Sequence, residues 1–385
     1  MIPYSRQQIT EADFAAVVDV LRSDFLTQGP VVPRFERAVA EYTGAEHAVA
    51  TNSGTSALHL ACLALGLGPG DRLWTSAITF VASANCGRYC GAVVDFVDID
   101  PETYNLSIAA LQARLVAARR AGELPKIVVS VHLGGQPPVQ ERVWELAQEF
   151  GFRVVEDASH ALGATRNGER VGSCRWSDIT VFSFHPVKII TTGEGGMALT
   201  NDAQLARRLT LLRSHGITRE PAEMAHVPDG PWYYEQIDLG FNYRMTDFQG
   251  ALGLSQLQRL DELVSRRSYL ADRYDSALAD LPVTTPRQDP NGRSAWHLYV
   301  IRLQRGATEL THRAVFEALR SSGIGVNLHY IPVYRQPYYE RLGFAASAWP
   351  EAERYYSEAI SLPLYPGLAD EQQDHVIAAL RLALT

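Results

Sequence analysis

The stretch SFHPVKIITTGEGG, residues 183–196, places a lysine between an apolar run and a loop of threonines and glycines. A lysine in a partly buried cleft can have a lowered pKa, and its neutral amine can form a Schiff base. The alternative is a loop lysine whose stem packs on apolar surface while its charge stays in water. Lys188 is therefore a candidate catalytic residue, and the following loop offers hydroxyl groups and space for a bulky ring.

The stretch EDASHALG, residues 156–163, ends an apolar run with an aspartate and has a histidine three residues later. The carboxylate of Asp157 could bind a protonated ring nitrogen. The alternative is an aspartate that serves a turn, which is common at such positions. His160 could act in a site or be a hydrogen-bonded structural histidine.

The stretch NSGTSALHL, residues 52–60, places Gly54, Thr55 and Ser56 between an expected strand and an expected helix. Backbone N–H groups at the start of a helix favour an anion such as phosphate, and hydroxyl groups add hydrogen bonds. The alternative is a helix cap, for which Ser and Thr are equally suited. The stretch matches neither a Walker A loop nor G-x-G-x-x-G, which argues against nucleoside triphosphates and dinucleotides.

These three features together fit one cofactor better than each fits alone. A phosphate-binding turn, a carboxylate and a lysine match the phosphate, the pyridine nitrogen and the aldehyde of pyridoxal 5′-phosphate. Phe80 follows another expected strand and could stack on the ring of the cofactor, or could belong to the core. The sequence contains no metal-binding pattern, because its four cysteines form no C-x-x-C pair and are expected to be small buried residues.

The elements that must position these residues follow from the alternation of apolar runs with amphipathic segments between about residues 45 and 215. Strands are predicted at residues 47–51, 72–76, 93–99, 126–134, 153–157 and 178–184. Near-continuous apolar strands separated by helices predict an α/β fold with a mainly parallel, doubly wound sheet. Ligands of such sheets bind beyond the carboxyl ends of the strands, where the candidate residues stand.

The pattern changes near residue 246, where a long helical stretch begins. After Pro282 the chain alternates strand and helix patterns in a way that is typical of a small α+β domain. We therefore predict a large cofactor-binding domain at 1–245, a connecting long helix at 246–282 and a small domain at 283–385.

The composition is that of an ordinary globular protein, with 46% hydrophobic and 20% charged residues in 385. The formal charge of −8, without a block of like charges, does not suggest a nucleic-acid-binding surface. The N-terminus has no secretory signal pattern, and no apolar run reaches the roughly 18 residues that span a bilayer. We expect a cytoplasmic protein without a membrane or nucleic-acid partner.

Taken together, these stretches resemble those of the DegT/DnrJ/EryC1/StrS sugar aminotransferases, which are pyridoxal-phosphate enzymes of fold type I. The similarity runs over nearly the whole length, and the blocks FSFHPVKIITTGEGG and NYRMTDFQGALG carry it most specifically. Some family members have histidine in place of the lysine and act as 3-dehydratases. Lys188 therefore favours the aminotransferase branch.

The resemblance implies roles for individual residues. Lys188 would bind the aldehyde of the cofactor, Asp157 would pair with its pyridine nitrogen, and His160 would lie by its ring hydroxyl. Thr55, Ser56 and Ser183 would bind the phosphate, and Phe80 would cover the ring face. Asn242 would reach the phosphate in the site of the neighbouring subunit of a homodimer. Arg244 would contact a substrate carboxylate, and His329 and Tyr330 would line the sugar pocket.

Within the family the chain is similar to the aminotransferases of the pseudaminic-acid pathway. This similarity implies L-glutamate as the amino donor and UDP-2-acetamido-2,6-dideoxy-β-L-arabino-hex-4-ulose as the acceptor. Two alternatives stay open. The first is another aminotransferase, which acts on a perosamine-type or dTDP-linked sugar or on a cyclitol. The second is a non-catalytic protein that binds the cofactor or a sugar nucleotide.

Overall fold

A computed structural model describes residues 1–304, 306 and 311–384. The α-helices are α1 Glu11–Leu21, α2 Val31–Thr43, α3 Gly54–Ala64, α4 Ala82–Tyr89, α5 Ile108–Ala121, α6 Gln140–Phe150, α7 Ala203–Arg213, α8 Asp247–Leu257, α9 Leu260–Ala277, α10 His312–Ser321, α11 Pro337–Glu340, α12 Pro350–Glu358 and α13 Asp370–Leu384. The strands are β1 Ile2–Pro3, β2 His47–Thr51, β3 Arg72–Ser76, β4 Val93–Val97, β5 Ile127–Val131, β6 Arg153–Asp157, β7 Thr165–Arg166, β8 Glu169–Arg170, β9 Ile179–Ser183, β10 Gly196–Thr200, β11 Ile217–Thr218, β12 Glu235–Gln236, β13 Val283–Thr284, β14 Gly292–Arg293, β15 Tyr299–Leu303, β16 Ile324–Gly325 and β17 Ala359–Leu362.

The central sheet has the strand order β2-β10-β9-β6-β5-β3-β4. Strand β10 is antiparallel to both of its neighbours, whereas β9, β6, β5, β3 and β4 pair in parallel. The central strands are buried, as in the run IVVSV of β5, because helices cover both faces of such a sheet. The predicted α/β fold with a mainly parallel sheet is therefore confirmed.

The predicted strands agree closely with the observed ones. Three of them, at 47–51, 72–76 and 153–157, have the observed bounds, and the other three are shorter in the structure. Their last predicted residues leave the sheet to form the loops beyond the strand ends. Sequence patterns locate such ends poorly, because apolar residues in the adjoining loop are also buried.

The long helical stretch predicted at 246–282 consists of two helices, α8 and α9, separated at Gln258 and Arg259. Helix α9 begins anew with Asp261 and Glu262 in its first turn, where negative charge is favourable. The Arg259 guanidinium pairs with the buried carboxylate of Asp13, at 3.2 Å between Nη2 and Oδ2. This contact joins the break between the helices to α1.

The C-terminal segment contains a three-stranded sheet, β13-β15-β17, with α9, α10 and α13 around its hydrophobic core. Within the run IGVNLHY, residues 324–330, only Ile324–Gly325 form a strand, β16, which pairs with β1 at the N-terminus. The rest of that run, which includes His329 and Tyr330, extends to a cavity at one edge of the central sheet. Among the described residues, no helix is both long and apolar enough to span a bilayer.

Candidate active site

A cavity of about 520 Å³ lies beyond the carboxyl ends of β2, β3, β6 and β9. These strands run in the same direction, so the residues that follow them meet at one edge of the sheet. The predicted site residues that line the cavity are Thr55, Phe80, Asp157, His160, Ser183, Lys188, His329 and Tyr330. The last two come from the C-terminal segment, so the cavity is closed by parts of the chain distant in sequence.

The start of helix α3 forms one wall of this cavity. Ser53 caps the helix, its Oγ accepting from the Ser56 N–H at 3.1 Å, and the first backbone bond of the helix runs from Ala57 to Ser53. The N–H groups of Gly54 and Thr55 precede that bond and stay free for an anion, as at other helix starts. Ser183 and Thr55 add hydroxyl groups to the same wall.

Two glycines allow this wall to form. A Cβ on Gly54 would lie 2.9 Å from the Cβ of Ser183, and a Cβ on Gly196 would lie 2.6 Å from the Gly54 nitrogen. Gly196 begins β10, where its sheet partners are Thr51 and Ser183. The GEGG motif therefore brings the antiparallel strand against the helix start, in a space that no larger residue fits.

Ser56, predicted to bind the phosphate, is not among the residues that line the cavity. Its hydroxyl lies 2.7 Å from Asn52 Oδ1, to which it donates, and 2.9 Å from the hydroxyl of Ser53. Ser56 is buried behind the helix start. In this structure its hydroxyl supports the turn, and a direct contact with phosphate stays a prediction.

Asp157 ends β6 with its carboxylate turned into the cavity and fixed on both oxygens. Oδ2 accepts from the Ser83 hydroxyl at 2.6 Å, and Oδ1 accepts from the hydroxyl and the N–H of Ser159 at 2.5 and 3.2 Å. The Ser83 hydroxyl in turn lies 2.7 Å from that of Thr79, which follows β3. The carboxylate is thus oriented by hydrogen bonds from two sides, which suits it to hold a proton donor in the cavity.

Lys188 is partly buried in the loop between β9 and β10, and its amine faces the cavity. Burial lowers the pKa of Lys188 to about 8, and the negative charge of Asp157 opposes part of this effect. Loss of hydration disfavours the ammonium form more than the neutral amine. A substantial fraction of Lys188 is therefore a neutral amine near pH 8, and its catalytic role stays a prediction.

His160 lies deep in the cavity, with Tyr330 beside it. His160 Nδ1 accepts from the Gly134 N–H at 3.3 Å, and Nε2 lies 3.2 Å from the Tyr330 hydroxyl. Burial lowers the pKa of His160 well below its ordinary value, and the charge of a protonated Lys188 adds to this effect. The imidazole of His160 is thus neutral.

Phe80 lies at the mouth of the cavity, 55% exposed, with its ring centroid 5.9 Å from that of Tyr330. The alternative that Phe80 belongs to the hydrophobic core is therefore wrong. An exposed aromatic ring above a polar cavity is suited to stack on a flat ligand.

Both ring nitrogens of His329 have partners inside the protein. Nδ1 lies 2.8 Å from the Ser361 hydroxyl, and Nε2 lies 3.4 Å from Asn327 Nδ2. Burial and the charge of Lys188 lower the pKa of His329 to about 4. His329 therefore shapes the cavity as a neutral, apolar surface.

Asn242 and Arg244 do not line the cavity of their own chain. Asn242 is exposed, and its carbonyl oxygen lies 3.4 Å from Asn52 Nδ2 at the outer side of the helix start. Sequence reasoning placed Asn242 in the site of a neighbouring subunit. The role of Asn242 in a neighbouring site stays a prediction.

Three of the aromatic and histidine side chains that line the cavity have no counterpart in the sequence-based predictions: Tyr4, His185 and His297. Tyr4 packs against His329, with 5.0 Å between ring centroids, and His297 packs against His160 at 4.2 Å. His185 lies three residues before Lys188 and was within the quoted motif. The other two follow no strand of the large sheet, so position relative to strand ends could not have identified them.

The cavity fits pyridoxal 5′-phosphate by the chemistry of its walls. The free N–H groups and hydroxyls at the start of α3 suit a phosphate, the fixed Asp157 carboxylate suits a protonated pyridine nitrogen, and the neutral amine of Lys188 suits an aldehyde. The clearances at Gly54 and Gly196 show that the phosphate-binding wall is built at close contact.

Comparison of the whole sequence with known proteins identifies the family and several relatives of this chain. The sequence profile of the DegT/DnrJ/EryC1/StrS aminotransferase family matches residues 7–381. The chain is 40% identical over 383 residues to the spore coat polysaccharide biosynthesis protein SpsC of Bacillus subtilis, covering 99% of this chain and 96% of that protein. It is 39% identical over 354 residues to the GDP-perosamine synthase of Caulobacter vibrioides, covering 91% and 90%.

Solved structures are similar over the whole chain. The chain superimposes on PseC of Helicobacter pylori, an aminotransferase involved in pseudaminic acid biosynthesis, with a TM-score of 0.91 and 32% identity, covering 100% of this chain and 99% of that one. The pyridoxal-phosphate form of Spr1654, a putative sugar aminotransferase of Streptococcus pneumoniae, gives a TM-score of 0.88 and 31% identity, covering 100% of both.

Proposed function

Because the chain belongs to the DegT/DnrJ/EryC1/StrS aminotransferase family and is thus a pyridoxal-phosphate-dependent sugar aminotransferase, we propose that it aminates C4 of a UDP-4-keto-6-deoxy-N-acetylhexosamine. The amino group comes from L-glutamate. The acceptor is UDP-2-acetamido-2,6-dideoxy-β-L-arabino-hex-4-ulose, and the product is UDP-4-amino-4,6-dideoxy-N-acetyl-β-L-altrosamine, an intermediate of pseudaminic acid biosynthesis. The observation that carries the aminotransferase chemistry is the joint presence of Lys188, Asp157 and the free start of α3 in one cavity.

When bound, the cofactor supplies an electron-withdrawing ring that weakens the bond between the amino-acid Cα and its hydrogen. Asp157 keeps a proton on the pyridine nitrogen, because a carboxylate held by Ser83 and Ser159 offers that proton a fixed partner. Gly54, Thr55 and Ser183 bind the phosphate and thereby set the position of the ring. Phe80 covers the ring at the mouth of the cavity and excludes water from one face.

Lys188 moves protons as a general base and acid. Its neutral amine removes the proton from Cα of glutamate, and in the second half of the exchange its ammonium delivers a proton to C4 of the sugar. A pKa near 8 serves both directions, since the two forms of the amine differ little in free energy at neutral pH. A residue without a titratable side chain at this position, such as alanine, can do neither step.

The acceptor sugar would bind beside His329 and Tyr330, which reach the cavity from the C-terminal segment. The full-length similarity to PseC, with a TM-score of 0.91, supports a pseudaminic-type substrate. The homodimer, in which Asn242 reaches the neighbouring site, and the contact of Arg244 with a substrate carboxylate belong to the same proposal. Large apolar side chains of the segment that precedes Asn242 support a partner surface, since Val227, Trp232 and Leu239 are 87%, 70% and 77% exposed.

A second candidate is amination of a GDP-linked 4-keto-6-deoxy sugar. The GDP-perosamine synthase of Caulobacter vibrioides is 39% identical to this chain, a higher identity than that of PseC, at 32%. Identity of this size fixes the reaction class more firmly than the sugar, because a few side chains in the sugar pocket decide substrate preference.

Two measurements test the proposal in order. First, the absorption spectrum of the purified holoprotein is recorded before and after addition of L-glutamate. Loss of the band of the Lys188-bound cofactor shows the half-reaction, whereas an unchanged band contradicts an aminotransferase and favours a protein that only binds the cofactor. Lys188→Ala is the control, since it removes both the band and its response.

Second, the glutamate-treated protein is given UDP-, GDP- and dTDP-4-keto-6-deoxy sugars, and return of the band is followed. The proposal expects kcat/KM for the UDP-N-acetyl substrate to exceed the others by at least about a hundredfold, the discrimination that a lost pair of buried hydrogen bonds produces. A preference for the GDP sugar would replace the proposed substrate with the second candidate. Asp157→Asn should lower the rate with every substrate by orders of magnitude.

A further inference from the structure

The two ring nitrogens of His160 have different partners, and this difference fixes its proton. The Gly134 N–H donates to Nδ1 at 3.3 Å. A backbone N–H can only donate, so Nδ1 must be the unprotonated nitrogen. A neutral imidazole then carries its proton on Nε2, the nitrogen that lies 3.2 Å from the Tyr330 hydroxyl.

This tautomer decides the direction of the next hydrogen bond. His160 Nε2–H donates to the oxygen of Tyr330, so the hydrogen of the Tyr330 hydroxyl cannot point back at His160. Both side chains line the cavity, so a group bound there is available to accept the Tyr330 hydroxyl hydrogen.

We propose that the Gly134 N–H holds His160 as the tautomer protonated on Nε2, and that His160 thereby positions Tyr330 as a hydrogen-bond donor to an oxygen atom of the molecule bound in the cavity. This inference rests on the proposed function for its kinetic consequences. His160 is then a positioning residue toward Tyr330, and Gly134 sets the state of both.

The backbone conformation of the turn at Gly134 and Gly135 fixes the position of the Gly134 N–H. Gly134 has φ +67° and Gly135 has φ +100°, a region that favours glycine. A Cβ on Gly135 would lie 2.9 Å from the carbonyl oxygen of His160. The turn also accepts two bonds from the C-terminal segment, from the Ala295 N–H to Gly135 at 3.0 Å and from the Leu298 N–H to Gly134 at 3.1 Å.

The surroundings of the His160 ring keep it in one orientation. The His297 ring packs against it with 4.2 Å between centroids, and Tyr330 lies parallel to within 25° at 6.2 Å. Burial opposes a second proton on His160, and the charge of a protonated Lys188 adds to this effect. A ring held between these groups keeps both its orientation and its neutral state.

The first experiment reads the tautomer without any assay of activity. Holoprotein labelled with ¹⁵N-histidine is examined by NMR at pH 7, and the signals of residue 160 are assigned by their loss in His160→Gln. The proposal expects a protonated Nε2 and an unprotonated Nδ1. A proton on Nδ1, or a doubly protonated ring, overturns it, even if the protein proves to be an aminotransferase with another substrate.

The second experiment reads the coupling between the two side chains through the rate of the glutamate half-reaction. His160→Phe removes donor and acceptor, and Tyr330→Phe removes the hydroxyl; each should lower the rate about tenfold, as loss of one hydrogen bond does. The double variant should be no slower than either single one, because both remove the same interaction. His160→Gln, which offers an acceptor and a donor, should recover most of the rate lost in His160→Phe.

Losses that multiply in the double variant, or a glutamine variant as slow as the phenylalanine one, would overturn the positioning role. Absence of any half-reaction in the wild-type protein would instead contradict the proposed function, and the NMR result would still decide the tautomer. The melting temperature of each variant is the control for folding, since a purely structural role would lower it in parallel with the rate.

Discussion

At the residue scale, the chemistry depends on the state of one amine. The chain contains only two lysines, Lys126 and Lys188. Lys126 forms an ion pair with Asp71, at 2.8 Å from Nζ to Oδ2, whereas Lys188 faces the cavity with its pKa lowered to about 8 by burial. The same residue type is thus an ordinary surface cation at one position and a proton carrier at the other.

This contrast predicts the pH dependence of labelling in the cofactor-free protein. Only the neutral amine reacts with an aldehyde, so modification of Lys188 by formaldehyde and borohydride should rise from pH 7 to 9, half-maximal near pH 8. Peptide mass mapping measures both sites in one sample, with the ion-paired Lys126 as reference. Equal pH profiles at the two lysines would contradict the buried, deprotonated state of Lys188.

At the scale of elements, the phosphate-binding wall depends on how closely α3, β9 and β10 approach one another. Gly54, at the start of α3, lies against Ser183 of β9, and Gly196 of β10 lies against the start of α3. The hydrogen-bonded Ser53 cap fixes the direction in which the first N–H groups of α3 point. The wall is therefore a property of three elements and not of the SGTS motif alone.

We expect Gly54→Ala to weaken cofactor binding through the phosphate. The added Cβ, 2.9 Å from that of Ser183, must move the helix start away from the strand, so the Kd for pyridoxal phosphate should rise at least about tenfold. Binding of pyridoxal, which lacks the phosphate, should change much less. Gly68→Ala is the matched control, since its Cβ would meet nothing within 4 Å.

If both ligands lost affinity equally in Gly54→Ala, the effect would be a general disturbance of the cavity. Titration of the visible absorption band gives both constants. An unchanged Kd for pyridoxal phosphate would show that α3 does not bind the phosphate.

At the scale of the whole molecule, the site of one chain lacks two of the residues that the family resemblance assigns to it. Asn242 and Arg244 lie outside their own cavity, next to a segment with exposed Trp232 and Leu239. We expect a homodimer in which Asn242 of each chain completes the other chain's site. Such an arrangement would make the activity of one site depend on two chains.

Hybrid dimers test this dependence. Lys188→Ala and Asn242→Ala proteins are each nearly inactive at limiting cofactor, but an equal mixture that has exchanged subunits should recover roughly a quarter of the native sites, because half of the dimers are hybrids with one intact site. Activity after mixing, compared with the two variants kept apart, is the measurement. No recovery despite subunit exchange would mean that Asn242 serves its own chain or no site.

The sequence by itself determined the chemistry and the order of the elements. Lys188, Asp157 and the turn at 53–56 follow apolar runs, and strands with continuous apolar residues must lie inside a sheet, so their ends and the residues beyond them could be located. The family motifs contain these same residues. That is why the α/β fold, the cofactor and the reaction class could be predicted before the structure was known.

Tertiary structure alone decided which distant residues complete the site and in what state they are. Tyr4 and His297 reach the cavity, and the Gly134 N–H reaches His160, through packing between remote parts of the chain, which no local pattern encodes. Burial, which lowers the pKa of Lys188 and keeps His160 neutral, is likewise a sum over neighbours from many elements. The sequence supplies the reactive groups, and the fold sets their protonation and their direction.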